Sequence, residues 1–423
     1  MGTGHASAIV SMTPRTTMGM YWKRIATLSL AFLLLPAVGR AQAAALTPQS
    51  GIDPDVLRKA KEGDPAAQFR LATIYRNGEG VPKDAVLSAS WLRKSAEQGI
   101  PNAQYDLGLC YALGQGVPKD DAQAAFWYAK AADQDQPAAL RSLAFFYLEG
   151  RSVPRDARQA LALFSRAAYL GDSESQYQSG LALESGLAIG RDWKAATEWY
   201  RKASDQGHMR AQFHLGVMYE NGEGVPQDYT QAANLYAKAA DQGYSPAQFS
   251  LALCYAHAHG VPQDYAKALF WYGKAAEQKN PSALVNLALL YINGQGVPKD
   301  ETRGYEYLRQ AAEAGAVDAQ FQLGVDYSQG FHGRPKDDKE AAEWFRKAAE
   351  QGMPIAAYDL AMVVHTDPAE TYFWLGVAIP RLKKEMVDQA TTLRGVAAAS
   401  LTSEQRAAID ERVRQWLSDH AQP

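Results

Sequence analysis

Apolar residues recur at helical spacing in two short blocks, and the pair of blocks then repeats along the chain. In one copy Ala211, Leu215, Met218 and Tyr219 fall at i, i+4, i+7 and i+8. That is one apolar face of a helix, and it predicts helix A over about 210–220. The stretch "NGEGVPQ" (Asn221–Gln227) then breaks the pattern with two glycines and a proline. From Asp228 the apolar positions resume at Ala232, Leu235, Tyr236, Ala239 and Ala240, which predicts helix B. Gly243 ends it, as glycine does just past a helix C-terminus. No stretch of the chain shows the two-residue alternation of a strand.

The pair recurs every 36 residues, with boundaries at Gly63, Gly99, Asp135, Gly171, Gly207, Gly243, Lys279 and Gly315. The eighth copy closes at Gly352 after 37 residues, because "QGFHGRPKD" carries one insertion. A fixed period of this length is the signature of stacked supersecondary units. The expected class is an all-α solenoid of stacked antiparallel helix pairs. Residues 63–352 form eight repeats, 353–380 a shortened ninth, 44–62 an N-terminal cap helix and 381–423 a C-terminal helical cap. In the ninth, Trp374 lies 22 residues after Gly352, whereas Trp127 lies 28 after Gly99. Six loop residues are missing, so this hairpin turns tightly near "HTDPAE". In the last helix Thr402 or Ser403 is placed to cap and Glu404 or Gln405 to support the first turn.

Aligned positions show what each is for. Helix B opens on Asp84, Asp120, Asp156, Asp192, Asp228, Asp264, Asp300 and Asp337. An N-cap needs a short acceptor for orphan backbone N–H groups, and aspartate supplies it. Eight carboxylates in register also suggest acid–base chemistry, but their recurrence at every helix start favours the cap. A small column (Ala72, Gly108, Ala144, Gly180, Gly216, Ala252, Ala288, Gly324) lets two helices approach closely. A tyrosine column (Tyr75, Tyr111, Tyr147, Tyr219, Tyr255, Tyr291, Tyr327) reads as core packing with a polar handle. Gly222 and Gly224 supply backbone freedom, Pro226 blocks helix continuation and Asp228 restarts the helix. A phosphate-cradling loop would be needed once, and after a strand.

Composition narrows the function. Apolar residues are 47% and charged residues 21%, which excludes a disordered chain. Lys plus Arg is 43 against 46 Asp plus Glu, so there is no basic surplus for a nucleic-acid backbone. Residues 1–43 read as an export signal, with Lys23 and Arg24 before the apolar run Ile25–Val38 and "AQA" (Ala41–Ala43) as a cleavage site. That run has 14 residues, short of the roughly 20 a membrane span needs. Met18 or Met20 is an alternative start. The leader carries Arg15, Lys23, Arg24 and Arg40 and no acidic residue, so the remainder is more acidic than the whole chain's −3. The expected location is the bacterial periplasm or the exterior, with no integral membrane segment after cleavage. Only two cysteines are present, Cys110 and Cys254, four repeats apart and too distant for a disulfide in such an array.

"AQFHLGVMYENGEGVPQDYTQAANLYAKAADQG" (Ala211–Gly243) and "AQYDLGLCYALGQGVPKDDAQAAFWYAKAADQD" (Ala103–Asp135) resemble the Sel1-like repeat family. The resemblance covers about residues 55–378. It implies a right-handed, tetratricopeptide-like superhelix that serves as a scaffold for protein interaction, without catalysis or cofactor. Some family members assist envelope assembly, secretion or exopolysaccharide machinery. Cysteine-rich members have been linked to beta-lactam hydrolysis, but this chain lacks a cysteine pair in each repeat. The fourth repeat departs from the pattern, with "ESGLAIGRD" lacking the proline and Leu183 in the tyrosine column. In the seventh, Tyr307 stands where the second and fifth carry Trp127 and Leu235.

The face of helix A turned away from the core is the candidate binding groove. One polar column includes Arg70, Asp106, Gln178, His214, Asn286 and Gln322, and a second includes Asn221 and His257. Between them runs Thr73, Leu109, Phe145, Leu181, Val217, Leu253, Leu289 and Val325. An apolar floor between varied polar rails suits an extended peptide or a partner helix. The expected state is a monomer holding a protein or peptide partner. Other chemistry is weaker. His214, His257 and His259 could hold a metal, but the set is loose beside ordinary zinc ligand patterns. Glu184 and Glu220 occupy equivalent positions and could act as acid and base, though a solvated helix face explains them more simply. Cys110 and Cys254 share a column with Ile74, Phe146, Met218 and Leu290 and read as packing residues.

Overall fold

The computed structural model describes residues 51–186, 190–331 and 335–420. The expected leader, residues 1–43, lies outside the described residues, as does the start of the 44–62 segment. Two compact units divide the chain, Met1–Arg191 and Asp192–Pro423.

The N-terminal unit opens with a lone helix α1 (Pro54–Glu62). Three hairpins follow: α2 (Pro65–Asn77) with α3 (Ala85–Glu97), α4 (Pro101–Leu113) with α5 (Asp121–Ala132), and α6 (Pro137–Glu149) with α7 (Ala157–Tyr169). Helix α8 (Ser173–Ser185) ends the unit. The C-terminal unit begins with α9 (Trp193–Asp205). Its hairpins are α10 (Met209–Asn221) with α11 (Tyr229–Asp241), α12 (Ser245–His257) with α13 (Tyr265–Glu277), α14 (Pro281–Asn293) with α15 (Glu301–Glu313), and α16 (Val317–Gln329) with α17 (Asp338–Glu350). A shorter pair, α18 (Pro354–Val363) and α19 (Pro368–Ala378), leads through a 3₁₀ turn to α20 (Lys384–Ala399) and α21 (Ser403–Asp419). The chain is an all-α solenoid of paired antiparallel helices.

Local chemistry sets each hairpin. Asp84 Oδ1 accepts from Leu87 N at 2.8 Å, Asp264 Oδ1 from Lys267 N at 2.9 Å and Asp300 Oδ1 from Arg303 N at 3.0 Å. Asp120 and Asp228 each accept from two backbone N–H groups, at 2.9 and 3.0 Å. Each cap is worth about 1 kcal/mol. The same aspartates tie back to helix A, because the N–H groups of Asp84, Asp120 and Asp228 donate to the carbonyls of Tyr75, Tyr111 and Tyr219. Gly222 caps α10 in the left-handed region at φ +73°, and its N–H donates to Met218 O. Gly224 has the same φ and a second constraint. A Cβ there would lie 2.3 Å from the Trp193 carbonyl oxygen. The loop of each such repeat thus rests on the first turn of the preceding helix B. Gly116 and Gly260 meet Ala85 O and Tyr229 O in the same way.

Inside each hairpin, helix A and helix B exchange volume. Gly108, Gly216 and Gly324 face Tyr128, Tyr236 and Phe345, and a Cβ would fall 2.5–2.7 Å from the rings. Where the small residue is Ala72 or Ala288, the residue at the ring position is Leu92 or Leu308, in the same core cluster. In these pairs a larger residue on one helix goes with a smaller one on the other, whereas Ala144 meets Phe164 and Ala252 meets Tyr272.

A glutamine relay, buried at its helix A end and exposed at its helix B end, joins neighbouring repeats. Gln104 donates to Ala96 O at 3.1 Å and accepts at Oε1 from Gln134 Nε2 at 2.8 Å. Gln134 also donates to Gly99 O at 2.9 Å. Gln68 with Gln98, Gln212 with Gln242, Gln248 with Gln278 and Gln320 with Gln351 repeat the side-chain bond at 2.8–2.9 Å. Two copies lack the relay, and in both the two positions change together, to Leu140 with Leu170 and to Leu284 with Ala314. A polar pair is kept whole or removed whole, because one half alone leaves a buried group without its partner.

At the C-terminus α19 is buried on nearly every side through Tyr372, Phe373, Trp374, Leu375 and Val377. Helices α20 and α21 cover it. Arg394 bonds Asp410 at 2.5 Å, and Thr402 with Gln405 closes a capping box on α21.

Candidate functional site

Each A helix buries one face against helix B and leaves the opposite face half open. The central stripe of that open face is apolar: Leu109, Phe145, Leu181, Leu253, Leu289 and Val325 are half-buried, and Val217 is buried. Thr73 turns its hydroxyl onto its own helix, at 3.0 Å from Phe69 O, so it too presents a methyl group.

The polar positions beside the stripe differ between the units. In the N-terminal unit they include Arg70 and Asp106, which are charged and already paired. Arg70, more than half exposed, bonds Glu79 at 2.7 Å. Asp106 on α4 accepts from Arg76 on α2 at 2.6 Å and is largely covered, so it clasps adjacent A helices. Arg141 on α6 pairs with Asp172, the N-cap of α8. Gln178 donates to Glu174 at 2.7 Å.

In the C-terminal unit the same positions carry histidine, serine and amide side chains. His214 lies against the Tyr200 ring, with centroids 5.2 Å apart. Asn221 reaches Glu223 at 3.4 Å. Asn286 donates to Ser282 O at 2.8 Å, and Gln322 donates to Asp326 at 2.9 Å. His257 is exposed, with its ring 5.9 Å from that of His259. Its partial burial, and then the neighbouring imidazole, hold its pKa below the ordinary histidine value.

The histidines do not converge as a ligand set. His257 neighbours His259, whose ring lies 5.3 Å from that of Tyr229, while His214 packs on Tyr200. Among the described residues no group of three or more His, Cys, Asp and Glu is placed to hold a metal ion. Glu220 accepts a hydrogen bond from the hydroxyl of buried Tyr236, so its carboxylate supports a core tyrosine. Burial and that carboxylate push the Tyr236 hydroxyl well above its usual pKa. Glu184 belongs to the other unit, half-buried on α8. The cysteines are not bonded to each other. Burial pushes the Cys110 thiol to about 11 and the Cys254 thiol to about 12, so both stay protonated at neutral pH. Among the described residues no helix is long and apolar enough to cross a membrane.

The glutamine relay is what sequence reasoning overlooked. Its signal lies in the repeated "AQ" and "QG" dipeptides and in their joint loss at Leu140 and Leu170.

Comparison with known proteins agrees with this architecture. The family model described as Sel1 repeat matches residues 65–100, 101–136, 137–172, 173–208, 210–244, 245–280, 281–315 and 317–353. The chain is similar to c5321 of uropathogenic Escherichia coli, a protective antigen displaying an SLR fold, at 33% identity. That match covers 86% of each chain, with a TM-score of 0.59. It is similar also to a Sel1 repeat protein from Oxalobacter formigenes, at 32% identity over 71% of this chain and 88% of that one, with a TM-score of 0.57. No curated protein matches. The helix pairs, their period and these relatives describe a protein-binding scaffold. The chain belongs to the Sel1 repeat family.

Proposed function

We propose that the chain is exported and holds an extended segment of a partner protein along the open faces of its A helices. The observation that carries this is the unbroken apolar stripe through Leu253, Leu289 and Val325, left partly exposed between the polar side chains of His214, Asn221, His257, Asn286 and Gln322. Leu253 and Val325 pack on the core with one side and leave the other open. Apolar contact would supply the affinity, and amide and imidazole groups beside it would bond the partner's backbone. In the N-terminal unit the flanking charges of Arg70 and Asp106 are satisfied within the chain, and Gln178 bonds Glu174. Binding along the histidine and amide side chains of the C-terminal unit should therefore tolerate high salt. Export rests on the expected leader, residues 1–43.

The test is affinity capture with wild type beside the double variant Leu253→Glu, Leu289→Glu. Both sites are partly exposed and Leu253 also packs on the Tyr272 cluster, so helicity is read alongside. Partner recovery by the still-helical variant should fall at least about tenfold, or roughly 1.4 kcal/mol. Recovery from wild type should persist at about 0.5 M salt, where exposed ion pairs are screened. Equal recovery by variant and wild type would refute the assignment of the face.

A further inference from the structure

Loops of this chain dock on the repeat before them in a recurring way. Arg151, just after the first loop glycine, bonds Asp121, the first residue of the preceding helix B, at 2.6 and 3.2 Å. In the same relation Gln295 donates to the Tyr265 hydroxyl at 3.2 Å, and the His259 ring lies against that of Tyr229, tilted by 34°. Val153, two residues further on, packs into the cluster that holds Ala125 and Phe146. The ninth hairpin has no such loop. Helix α18 stops at Val363, and Asp367 already caps α19. A cavity of about 380 Å³ opens where the loop would lie, lined by Asp338, Ala342, Arg346, Val363, Thr366 and Glu370 among others.

Repeat register says what fits there. Asp338 holds the position of Asp121, Ala342 that of Ala125 and Val363 that of Phe146. We propose that this cavity docks a Gly-Arg-x-Val-Pro turn carried by a partner protein, in the place that the chain's own loops fill in earlier repeats. The partner's arginine bonds Asp338, as Arg151 bonds Asp121. Its valine lies between Ala342 and Val363, where Val363 leaves more room than Phe146 does. Its glycine takes the left-handed turn that Gly150 takes at φ +71°, and its third residue lies where Ser152 does, also at positive φ. Charge agrees: Arg346 is bound to Glu370 at 3.1 Å, whereas among the described residues Asp338 meets only Lys336, at 3.4 Å and well exposed. An exposed pair of that kind contributes little and yields to a guanidinium. The site lies away from the open A-helix face, so it stands or falls separately from the function proposed above.

The probe is a fluorescein-labelled peptide of the chain's own sequence EGRSVPRDAR (Glu149–Arg158), titrated with the full chain and read by polarisation. Saturable binding is expected, at least about tenfold weaker for Asp338→Arg. A peptide with aspartate in place of Arg151 should then bind Asp338→Arg better than wild type, which separates a lost contact from a lost fold. No saturation by about 1 mM chain would overturn the proposal, as would equal affinity for wild type and Asp338→Arg. So would a concentration-dependent dimer abolished by Asp338→Arg, since the occupant would then be a second copy.

Discussion

Gly224→Ala lowers unfolding stability by about 3 kcal/mol or more, while Gly222→Ala costs only about 1 kcal/mol. Both glycines have φ +73°, so the cost of a left-handed alanine is shared. They differ in surroundings. At Gly222 the new Cβ comes no closer than 3.3 Å, to Gln227 Cβ on an exposed loop. At Gly224 it meets Trp193 O at 2.3 Å, Trp193 C at 2.5 Å and the Thr197 hydroxyl at 2.7 Å. Relief requires the loop to lift from α9, which also strips the contact between the Thr197 hydroxyl and Glu223 O. Urea unfolding of the two variants beside wild type measures the difference. Equal losses would mean that the close approach carries no energy and that only backbone conformation matters.

The second large effect is a coupling. Gln134→Leu leaves the buried Oε1 of Gln104 without its donor and Gly99 O without its side-chain bond, a loss of about 2 kcal/mol. Gln104→Leu added to it brings stability back to within about 1 kcal/mol of wild type, because Ala96 O keeps the Gly99 N–H. The next repeat already carries this state, with Leu140 and Leu170. A double-mutant cycle by urea unfolding reads the coupling directly. Additive losses would show that the two glutamines act independently and that their joint replacement in two repeats is coincidence.

The sequence carried the architecture because its cause is periodic. A 36-residue spacing of glycine, aspartate and small residues reflects local demands that each repeat meets alone. Cap chemistry reaches only three residues, so Asp120 and Asp228 declare themselves in one dimension. The relay does not, since Gln104 and Gln134 are 30 residues apart and the bond exists only once repeats stack. Gly224 was legible as a turn residue but not as a neighbour of Trp193, which lies in the repeat before. The open A-helix face was legible as columns, yet its charge state was not. Arg70 and Asp106 looked available in sequence, and the fold spends both on Glu79 and Arg76. The missing loop of the ninth hairpin could be counted, but the cavity it leaves needed the docking of Arg151 on Asp121 as its pattern.

Photocrosslinking tests the central claim most directly. A photoreactive residue is placed in turn at Leu253 and Asn286 on the open face of helix A, and at Phe270 and Lys274 on helix B α13. Each protein is irradiated with the captured partner. Adducts from the two A-helix positions, and none from the α13 positions, are what a scaffold holding its partner along that face predicts. Adducts from Phe270 and Lys274 without any from Leu253 or Asn286 would contradict it.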